Sequence, residues 1–185
     1  TYAGADGDLV VLGATGTPIP TTMRTHAGST RQGLALVLHP NGRQAVADDD
    51  VSMLQAAGWD VLLADVRLRG ELAIRWDLNT VVWGRPEIGM AADDITSLLD
   101  SRPSPYARVA CVGLGEMGWV AVCAAASDAR ITQVVAPDLA QGLLGAEDAV
   151  ALPNLLRYGE PGDLLALVAD RVTDAGGANW ASALR

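Results

Sequence analysis

Arg108-Val-Ala-Cys-Val-Gly-Leu-Gly-Glu-Met-Gly-Trp-Val-Ala-Val-Cys-Ala-Ala-Ala126 is the stretch of sequence that decides the fold. It opens with a short apolar run, Val109 to Val112, which is typical of a strand buried on both faces. Three glycines follow, and then residues 119–126 continue without a charge. Because a helix without a polar face belongs inside a domain, the stretch predicts a strand, a tight turn and a buried helix.

The turn supports two functional interpretations and one structural interpretation. Gly113, Gly115 and Gly118 match the G-x-G-x-x-G fingerprint, in which glycines let the backbone approach a dinucleotide pyrophosphate at a helix N-terminus. Asp138 lies 25 residues after Gly113, close to the spacing of an acid that bonds the ribose. Alternatively the turn is a nucleophile elbow, G-x-S-x-G, with Gly115 where the serine is expected. The third interpretation is a plain turn in which glycines only permit close packing.

Composition excludes several classes of partner. The chain has 185 residues, a net charge of −9 and no basic cluster, which argues against nucleic acid and anionic membranes. Cys111 and Cys123 fall in the apolar strand and helix, so we expect buried free thiols rather than a disulfide. Asp48, Asp49 and Asp50 are explained by the first turn of a helix, where acids complement the dipole, and we predict no metal site. The favoured interpretation requires no cofactor.

Buried strands alternate with helices along most of the chain. Apolar runs at Gly33–His39, Asp60–Asp65 and Ile131–Ala136 predict further strands. Alternation of this kind predicts an α/β fold, a three-layer sandwich with a mostly parallel sheet. We expect one domain over residues 1–185, with N-terminal strands and a connector in 1–32, the core in 33–176 and a tail in 177–185. Helices are expected from about Met90 to Ser101, over Ala146–Tyr158 and over Pro161–Ala169, and the segment Val66–Gly89 is long enough to be a functional loop.

A family resemblance rests on three segments in succession. Gly58-Trp-Asp-Val-Leu-Leu-Ala-Asp-Val-Arg-Leu-Arg-Gly70 resembles a segment of α/β-hydrolases related to acetyl xylan esterases and prolyl oligopeptidases. Gly84-Arg-Pro-Glu-Ile-Gly-Met90, which leads into a helix, a strand and the elbow, is similar to the same group. Leu152-Pro-Asn-Leu-Leu-Arg-Tyr-Gly159 resembles its stretch before the seventh strand. The resemblance covers roughly residues 33–176 and implies a truncated α/β-hydrolase-like fold without the last strand and final helix.

The resemblance also implies where catalytic groups would fall. The serine would fall at Gly115 and the acid near Asp174. The oxyanion-hole groups would fall at His39, Asn41, Gly42 and the backbone N–H of Glu116. No histidine follows Asp174, because the only two are His26 and His39. The chain is therefore similar to a degenerate family member that lacks its nucleophile, and we read His39 as a core histidine bonded to backbone, with a binding group as the alternative.

The favoured functional hypothesis is a non-catalytic pseudo-esterase domain with a structural, binding or assembly role, within a larger carbohydrate-esterase-like protein. The alternatives are an NAD(P)-binding domain that uses Gly113, Gly115, Gly118 and Asp138, and an ester hydrolase completed by residues from another chain. We expect a partner, either another protein or a second copy, across the sheet edge near Arg171–Ala175. A soluble protein is expected, and the start at Thr1 is compatible with export or processing from a longer precursor.

Overall fold

A computed structural model describes residues 2–3, 8–13, 15–67, 69–73, 84, 86–101, 106–137, 139, 160–173 and 180–184. The strands described are β1 (Tyr2–Ala3), β2 (Asp8–Leu12), β3 (Pro18–Arg24), β4 (Gly33–Leu38), β5 (Trp59–Ala64), β6 (Val109–Gly113), β7 (Gln133–Val135) and β8 (Val172–Thr173). The α-helices are α1 (Asp48–Ala56), α2 (Glu87–Asp100), α3 (Met117–Ser127) and α4 (Pro161–Ala166). Short 3₁₀ helices occupy Arg43–Ala45, Gly70–Leu72 and Trp180–Leu184.

All eight strands belong to one sheet, in the order β1-β2-β3-β5-β4-β6-β7-β8. The pairs β1–β2, β2–β3 and β3–β5 are antiparallel, and the five strands from β5 to β8 along this order run parallel. The predicted α/β fold with a mostly parallel sheet is confirmed. After β4 the chain forms β5 on one side of β4 and then crosses over to form β6 on its other side. The direction in which strands are added to the sheet therefore reverses between β4 and β6. Ligands of open α/β sheets bind at such a point, outside the carboxyl ends of the strands.

Side chains of alternate residues divide the core into two layers. In β4, Leu34, Leu36 and Leu38 face one side, where α2 and α3 supply most of the covering side chains. Ala35 and Val37 face the other side, which α1 and the 3₁₀ helix Trp180–Leu184 cover. Successive side chains of a strand point to opposite faces of the sheet, and here both faces are covered. Every residue of such a strand is therefore buried, which explains the continuous apolar runs in the sequence. The predicted three-layer arrangement is confirmed.

Helix α3 is the buried helix that the apolar sequence predicts. Eight of its eleven residues are buried, and it packs against α2, α4 and the sheet. Its one indole, Trp119, donates a hydrogen bond of 3.0 Å to the carbonyl of Leu139. The helix that follows the turn is therefore anchored in the core.

Three helix predictions need comment. Helix α2 begins at Glu87 rather than at about Met90, because Pro86 takes the extended N-cap position and Gly89 is tolerated within the first turn. Helix α4 ends at Ala166, three residues before its predicted end. The helix predicted over Ala146–Tyr158 lies outside the described residues, as does half of the Val66–Gly89 segment.

The 3₁₀ helix Trp180–Leu184, within the segment expected to be a tail, packs on the sheet. Trp180, Ala181 and Leu184 are buried against the α1 side of the sheet. The indole N–H of Trp59 donates to the Leu184 carbonyl over 2.7 Å, and Gln133 Nε2 donates to the Ala183 carbonyl over 3.2 Å. These contacts give the face a cover where the sequence predicted no final helix.

Candidate functional site

The elbow turn lies between the end of β6 and the start of α3. Gly115 has a φ of 53°, a left-handed conformation that glycine adopts without steric cost. The Gly118 N–H donates to the Gly115 carbonyl over 3.1 Å, and the Met117 N–H to the Leu114 carbonyl over 3.1 Å. A side chain on Gly113 would clash with the backbone of Met117. A small residue before the turn is therefore required for the helix to start so close to the strand.

The loop after β4 packs directly against this turn. A Cβ placed on Gly115 would lie 3.2 Å from Cγ of Pro40, tighter than an ordinary van der Waals contact. The Leu114 N–H donates to the Leu38 carbonyl over 3.0 Å, which ties the two strand ends together. Gly42 closes the loop with a φ of 87° and donates its N–H to the His39 carbonyl over 3.0 Å. The predicted oxyanion loop thus lies beside the predicted nucleophile position, with a proline ring against it.

Asp65, the residue after β5, holds this loop in place. Its carboxylate accepts hydrogen bonds from the backbone N–H and the Nη1 of Arg43, each of 2.6 Å, and from the Glu71 N–H over 3.1 Å. Both Asp65 and Arg43 are buried, at 1% and 7% exposed. Burial lowers the pKa of Arg43, but hydrogen bonds to Glu71 and Asp65 outweigh it, so the pKa is raised and the guanidinium stays charged. A side chain on Gly70 would collide with this carboxylate, so glycine is needed there.

Three further ion pairs lie near the carboxyl end of β5. Arg67 binds the fully buried Asp94 of α2, with its Nε 2.9 Å from Oδ1 and its backbone N–H 2.8 Å from Oδ2. Burial raises the pKa of Asp94, and the hydrogen bonds and charge of Arg67 oppose that rise. Arg69 pairs with Glu87 and, over 2.7 Å, with Glu116. Glu116 directly follows the elbow glycine, and its carboxylate is the group that Arg69 binds.

The predicted site residues separate into two groups. The structure brings together His39, Asn41, Gly42, Gly115 and Glu116 at the carboxyl ends of β4 and β6. The predicted acids Asp138 and Asp174 lie outside the described residues. His26 lies at the opposite end of the sheet, where its Nδ1 is 2.6 Å from the Gln55 carbonyl and its backbone N–H donates to Asp60. His26 is therefore separated from the elbow by the length of β5.

Side chains of the protein itself pack against the glycines of the G-x-G-x-x-G fingerprint. A Cβ on Gly118 would lie 3.1 Å from Leu139 Cδ1 and 3.2 Å from Ala136 Cβ, and Gly115 faces Pro40. In a dinucleotide site the middle glycine gives the pyrophosphate access to the backbone. Here Pro40 occupies that approach, so the geometry favours an elbow over a nucleotide turn.

Comparison with known proteins bears on the fold. No protein-family model matches the sequence, and no curated protein matches it. Among solved structures, a cold-adapted esterase from an Arctic intertidal metagenomic library is 15% identical with a TM-score of 0.61, over 96% of this chain and 90% of that one. An α/β hydrolase from Novosphingobium aromaticivorans is 19% identical with a TM-score of 0.51, over 72% of this chain and 45% of that one. The bottromycin epimerase BotH is 23% identical with a TM-score of 0.53, over 70% and 47%.

The chain has the α/β-hydrolase fold. It spans less than half the length of the Novosphingobium hydrolase and of the epimerase, and nearly the whole length of the Arctic esterase. At these identities the likeness concerns the fold alone. Within this α/β-hydrolase fold, the loops after β4, β5 and β6 lie at the same edge of the sheet, and we call the surface that they form the crevice. Gly115 lies in the turn after β6, next to the point where the strand order reverses.

Other reactive groups of this α/β-hydrolase-fold chain lie away from the crevice or are inert. Cys111 and Cys123 are both free thiols, and burial raises the pKa of Cys111 to about 12 and that of Cys123 to about 11. A neutral thiol is a poor nucleophile. In the part of the chain that the structure describes, no three metal-binding side chains come together. Among the same residues, no helix is long and apolar enough to cross a membrane.

Sequence reasoning missed the residues that build the crevice. Asp65 and Arg43 are 22 positions apart, and their pairing depends on β4 and β5 lying side by side. The one available signal was the quoted segment Gly58–Gly70, which contains Asp65, Arg67, Arg69 and Gly70. Each of these four makes a contact that shapes the crevice.

Proposed function

We propose that this chain is a non-catalytic α/β-hydrolase-fold domain, a pseudo-esterase that acts as a structural, binding or assembly module. The observation that carries the proposal is the glycine at the elbow: Gly115 has no side chain, and Pro40 packs where one would begin. The resemblance to acetyl xylan esterases and prolyl oligopeptidases suggests a place within a larger carbohydrate-esterase-like protein.

The remaining catalytic groups support the proposal. A serine hydrolase needs a nucleophile, a base and an orienting group within hydrogen-bond reach. His39 is the histidine at the crevice, and its Nδ1 accepts the Asn41 N–H over 3.0 Å. Glu116 is paired with Arg69 over 2.7 Å. Among the residues described at the crevice, polar groups are therefore present without a serine nucleophile at the elbow.

Covalent labelling tests this proposal. A fluorophosphonate should leave no adduct on the chain, because it reports activated serine hydroxyls. Heat-denatured protein is the matched control for non-specific reaction. An adduct that forms on the folded chain alone would show an active nucleophile and would overturn the proposal.

An ester hydrolase completed by residues from another chain is the second candidate. It is favoured by the turn itself, because the left-handed Gly115 and the adjacent His39–Gly42 loop keep the form of an active elbow. The bottromycin epimerase with a similar fold argues against tying this fold to hydrolysis. A search for labelled adducts in complexes isolated with the chain separates the two candidates.

Nucleotide binding is disfavoured by the packing of Gly115 and Gly118 against Pro40, Leu139 and Ala136. Calorimetry with NAD, NADH and NADPH should give no heat of binding. A micromolar dissociation constant for any of the three would reverse the ranking.

We also propose that a second polypeptide, from another protein or from a second copy, pairs with the sheet beyond β8. In the described part of the sheet β8 is the last strand, and it contributes two residues, Val172 and Thr173. Proteins normally cover or pair such an edge. Sedimentation equilibrium should show self-association, or binding to a partner, together with slow hydrogen exchange of β8 in the complex. A stable monomer with a fully protected β8 would contradict this.

A further inference from the structure

Arg108 is an exposed arginine at the amino edge of the parallel strands, directly before β6. Its guanidinium lies over the Trp59 ring, with Cζ 4.9 Å from the ring centroid. Nη1 donates a hydrogen bond to Gln32 Oε1 over 3.4 Å, and Nη2 donates one to Gln133 Oε1 over 3.3 Å. Contacts from residues at the start of β4, β5 and β7 therefore hold an exposed guanidinium in one position.

Two of the side chains that hold Arg108 are themselves held by the C-terminal 3₁₀ helix. The indole N–H of Trp59 donates to the Leu184 carbonyl, and Gln133 Nε2 donates to the Ala183 carbonyl. Because the amide nitrogen of Gln133 is used in this way, its oxygen is the atom that accepts from Arg108. A guanidinium ordered before it meets a partner loses less conformational entropy on binding.

The hydrogen bonds of Arg108 differ from those of other arginines in the part of the chain that the structure describes. Six of those arginines form ion pairs with an aspartate or a glutamate, namely Arg31, Arg43, Arg67, Arg69, Arg130 and Arg171. Both acceptors of Arg108 are neutral amide oxygens, at distances longer than the usual value of about 2.9 Å. A carboxylate forms shorter and stronger hydrogen bonds with a guanidinium, so it is the better acceptor for Arg108.

The sheet places further arginines along the same edge. They are Arg31, two residues before β4, Arg130, three residues before β7, and Arg171, directly before β8. The strands β4, β6, β7 and β8 are consecutive in the sheet and parallel, so all four arginines lie at its amino edge. We call these four residues the arginine edge. They are widely separated in the sequence, which is why the sequence alone shows no basic cluster.

The acids near this edge pair with its other arginines. Asp60 and Asp128 are buried, whereas the arginines that they bind, before β4 and β7, are 51% and 42% exposed. The exposed Asp100 lies 2.7 Å from the arginine before β7, and the exposed Asp170 lies 3.9 Å from the arginine before β8. Among the described residues, Arg108 is thus the member of the arginine edge without a carboxylate.

Exposure and charge decide which kind of partner suits Arg108. An exposed ion pair contributes little by itself, so a single small anion would gain little there. A polypeptide segment with several carboxylates can contact more than one arginine of the edge, and Arg and Trp are enriched at the energetic centres of protein interfaces. The net charge of −9 repels a long polyanion such as a nucleic acid.

We propose that Arg108 is the anchor of a protein-interaction surface, at which it binds an aspartate or glutamate side chain from an acidic segment of a partner. The proposal rests on the binding or assembly role proposed above and gives the chemistry of the partner. Its failure is separable from failure of that role, because covalent labelling at the elbow and hydrogen exchange of β8 do not involve Arg108.

Binding is tested with end-blocked tetraglutamate and with end-blocked tetraglutamine as the uncharged control. Tetraglutamate should shift the Nε–H signal of Arg108 and the amide signals of Gln32 and Gln133 in a saturable way, and added salt should weaken its binding. Tetraglutamine should give no saturable shift, and single-stranded oligothymidylate should bind more weakly than tetraglutamate. No saturable shift with tetraglutamate, an equal response to tetraglutamine, or tighter binding of the oligothymidylate would overturn the proposal.

Three variants separate Arg108 from the general charge of the edge. Arg108→Gln should weaken tetraglutamate binding about two- to fivefold. Arg31→Gln, the matched control, removes the same charge one strand away and should weaken binding less. Arg108→Lys keeps the charge without the two-pronged guanidinium, so its affinity should lie between those of the wild-type chain and Arg108→Gln, and it replaces Arg108→Gln if that variant does not fold. An equal loss in Arg31→Gln and Arg108→Gln, or wild-type affinity in Arg108→Lys, would contradict the assignment of Arg108 as the anchor.

Discussion

A buried aspartate lies at each end of β5, Asp60 within the strand and Asp65 directly after it, and the two carboxylates have different partners. Asp60, at the amino end, accepts the His26 N–H over 2.7 Å and the Tyr106 hydroxyl over 2.6 Å, and lies 3.4 Å from Nε of Arg31. Asp65, at the carboxyl end, accepts three hydrogen bonds from two neighbouring loops. Both side chains are almost fully buried, at 0% and 1% exposed. A buried carboxylate by itself therefore does not identify the functional end.

The difference between the two aspartates lies in their partners. Asp60 is bonded mainly by neutral groups, and its arginine is half-exposed, so it fastens two connectors to the sheet. Asp65 is paired with the buried Arg43 and accepts hydrogen bonds from the loops that contain Gly42 and Gly70, both of which have a positive φ. A positive φ also occurs at the amino end of β5, at Gly58, so the buried ion pair is what distinguishes the carboxyl end.

The largest effect should come from the two aspartates. Asp65→Ala leaves the Arg43 guanidinium buried without its nearest buried partner, which should lower the free energy of unfolding by about 3 kcal/mol. Asp60→Ala leaves mainly neutral donors unsatisfied, which should cost about 2 kcal/mol. Urea denaturation of both variants measures the difference. A larger loss for Asp60→Ala would remove the contrast between the two ends.

Trp59→Phe sharpens the comparison at the amino end. The change removes the donor to the buried Leu184 carbonyl, with an expected cost of about 2 kcal/mol. Hydrogen exchange should speed up in residues 180–184 and stay unchanged in residues 39–42. Trp119→Phe, which removes the comparable bond to Leu139 at the elbow, is the matched control and should leave residues 180–184 protected. Equal exchange in both variants would mean that this bond does not hold the C-terminal segment.

Gly115→Ala should cost about 1 to 2 kcal/mol, because an alanine is strained in the left-handed region and its Cβ presses on Pro40. Gly16 is the control, since it has a φ of 78° and no atom within 4 Å of an added Cβ. Gly16→Ala should therefore show the conformational cost alone, of about 1 kcal/mol. Thermal denaturation that ranks Gly16→Ala as the more destabilising change would contradict the contact with Pro40.

The smallest effect concerns pH. The pKa of His39 is lowered by burial in the folded state, so below the ordinary value of about 6.5 the unfolded chain binds the proton first. Stability should therefore fall as the pH drops from about 6.5 through the folded pKa, and should be fully retained above 6.5. His39→Asn should remove this part of the pH dependence of urea denaturation. A rise in stability over the same interval would show that the charged ring is the favoured form.

Much of the fold was predictable because it depends on local patterns. The apolar runs at Gly33–His39, Asp60–Asp65 and Val109–Val112 each became a parallel strand, and the uncharged stretch after Gly118 became a buried helix. The strand-to-helix turn at Gly115 followed from its glycines. These features depend on residues that are close in sequence and on the burial of apolar side chains away from water.

The rest depends on contacts between distant residues. Nothing in the five residues Trp180–Leu184 shows a period, so their burial against β5 was not foreseeable from the sequence. The pairing of Asp65 with Arg43 arises only when β4 and β5 are adjacent. The hydrogen bond from the Asn41 N–H to the His39 ring joins groups only two residues apart, but it forms only in the folded conformation of the loop. The site was therefore located by its turn, whereas its chemistry depends on tertiary structure.

The central claim is that the elbow has the shape of a hydrolase turn without its reactivity. Hydrolysis of a short-chain aryl acetate by the wild-type chain, Gly115→Ser and Gly115→Ala tests it most directly. We predict no turnover above a buffer blank for any of the three, because the added hydroxyl in Gly115→Ser has no base to activate it and an unassisted serine is a weak nucleophile. Saturable turnover by the wild-type chain, retained in Gly115→Ala, would show a different active site and would contradict the account.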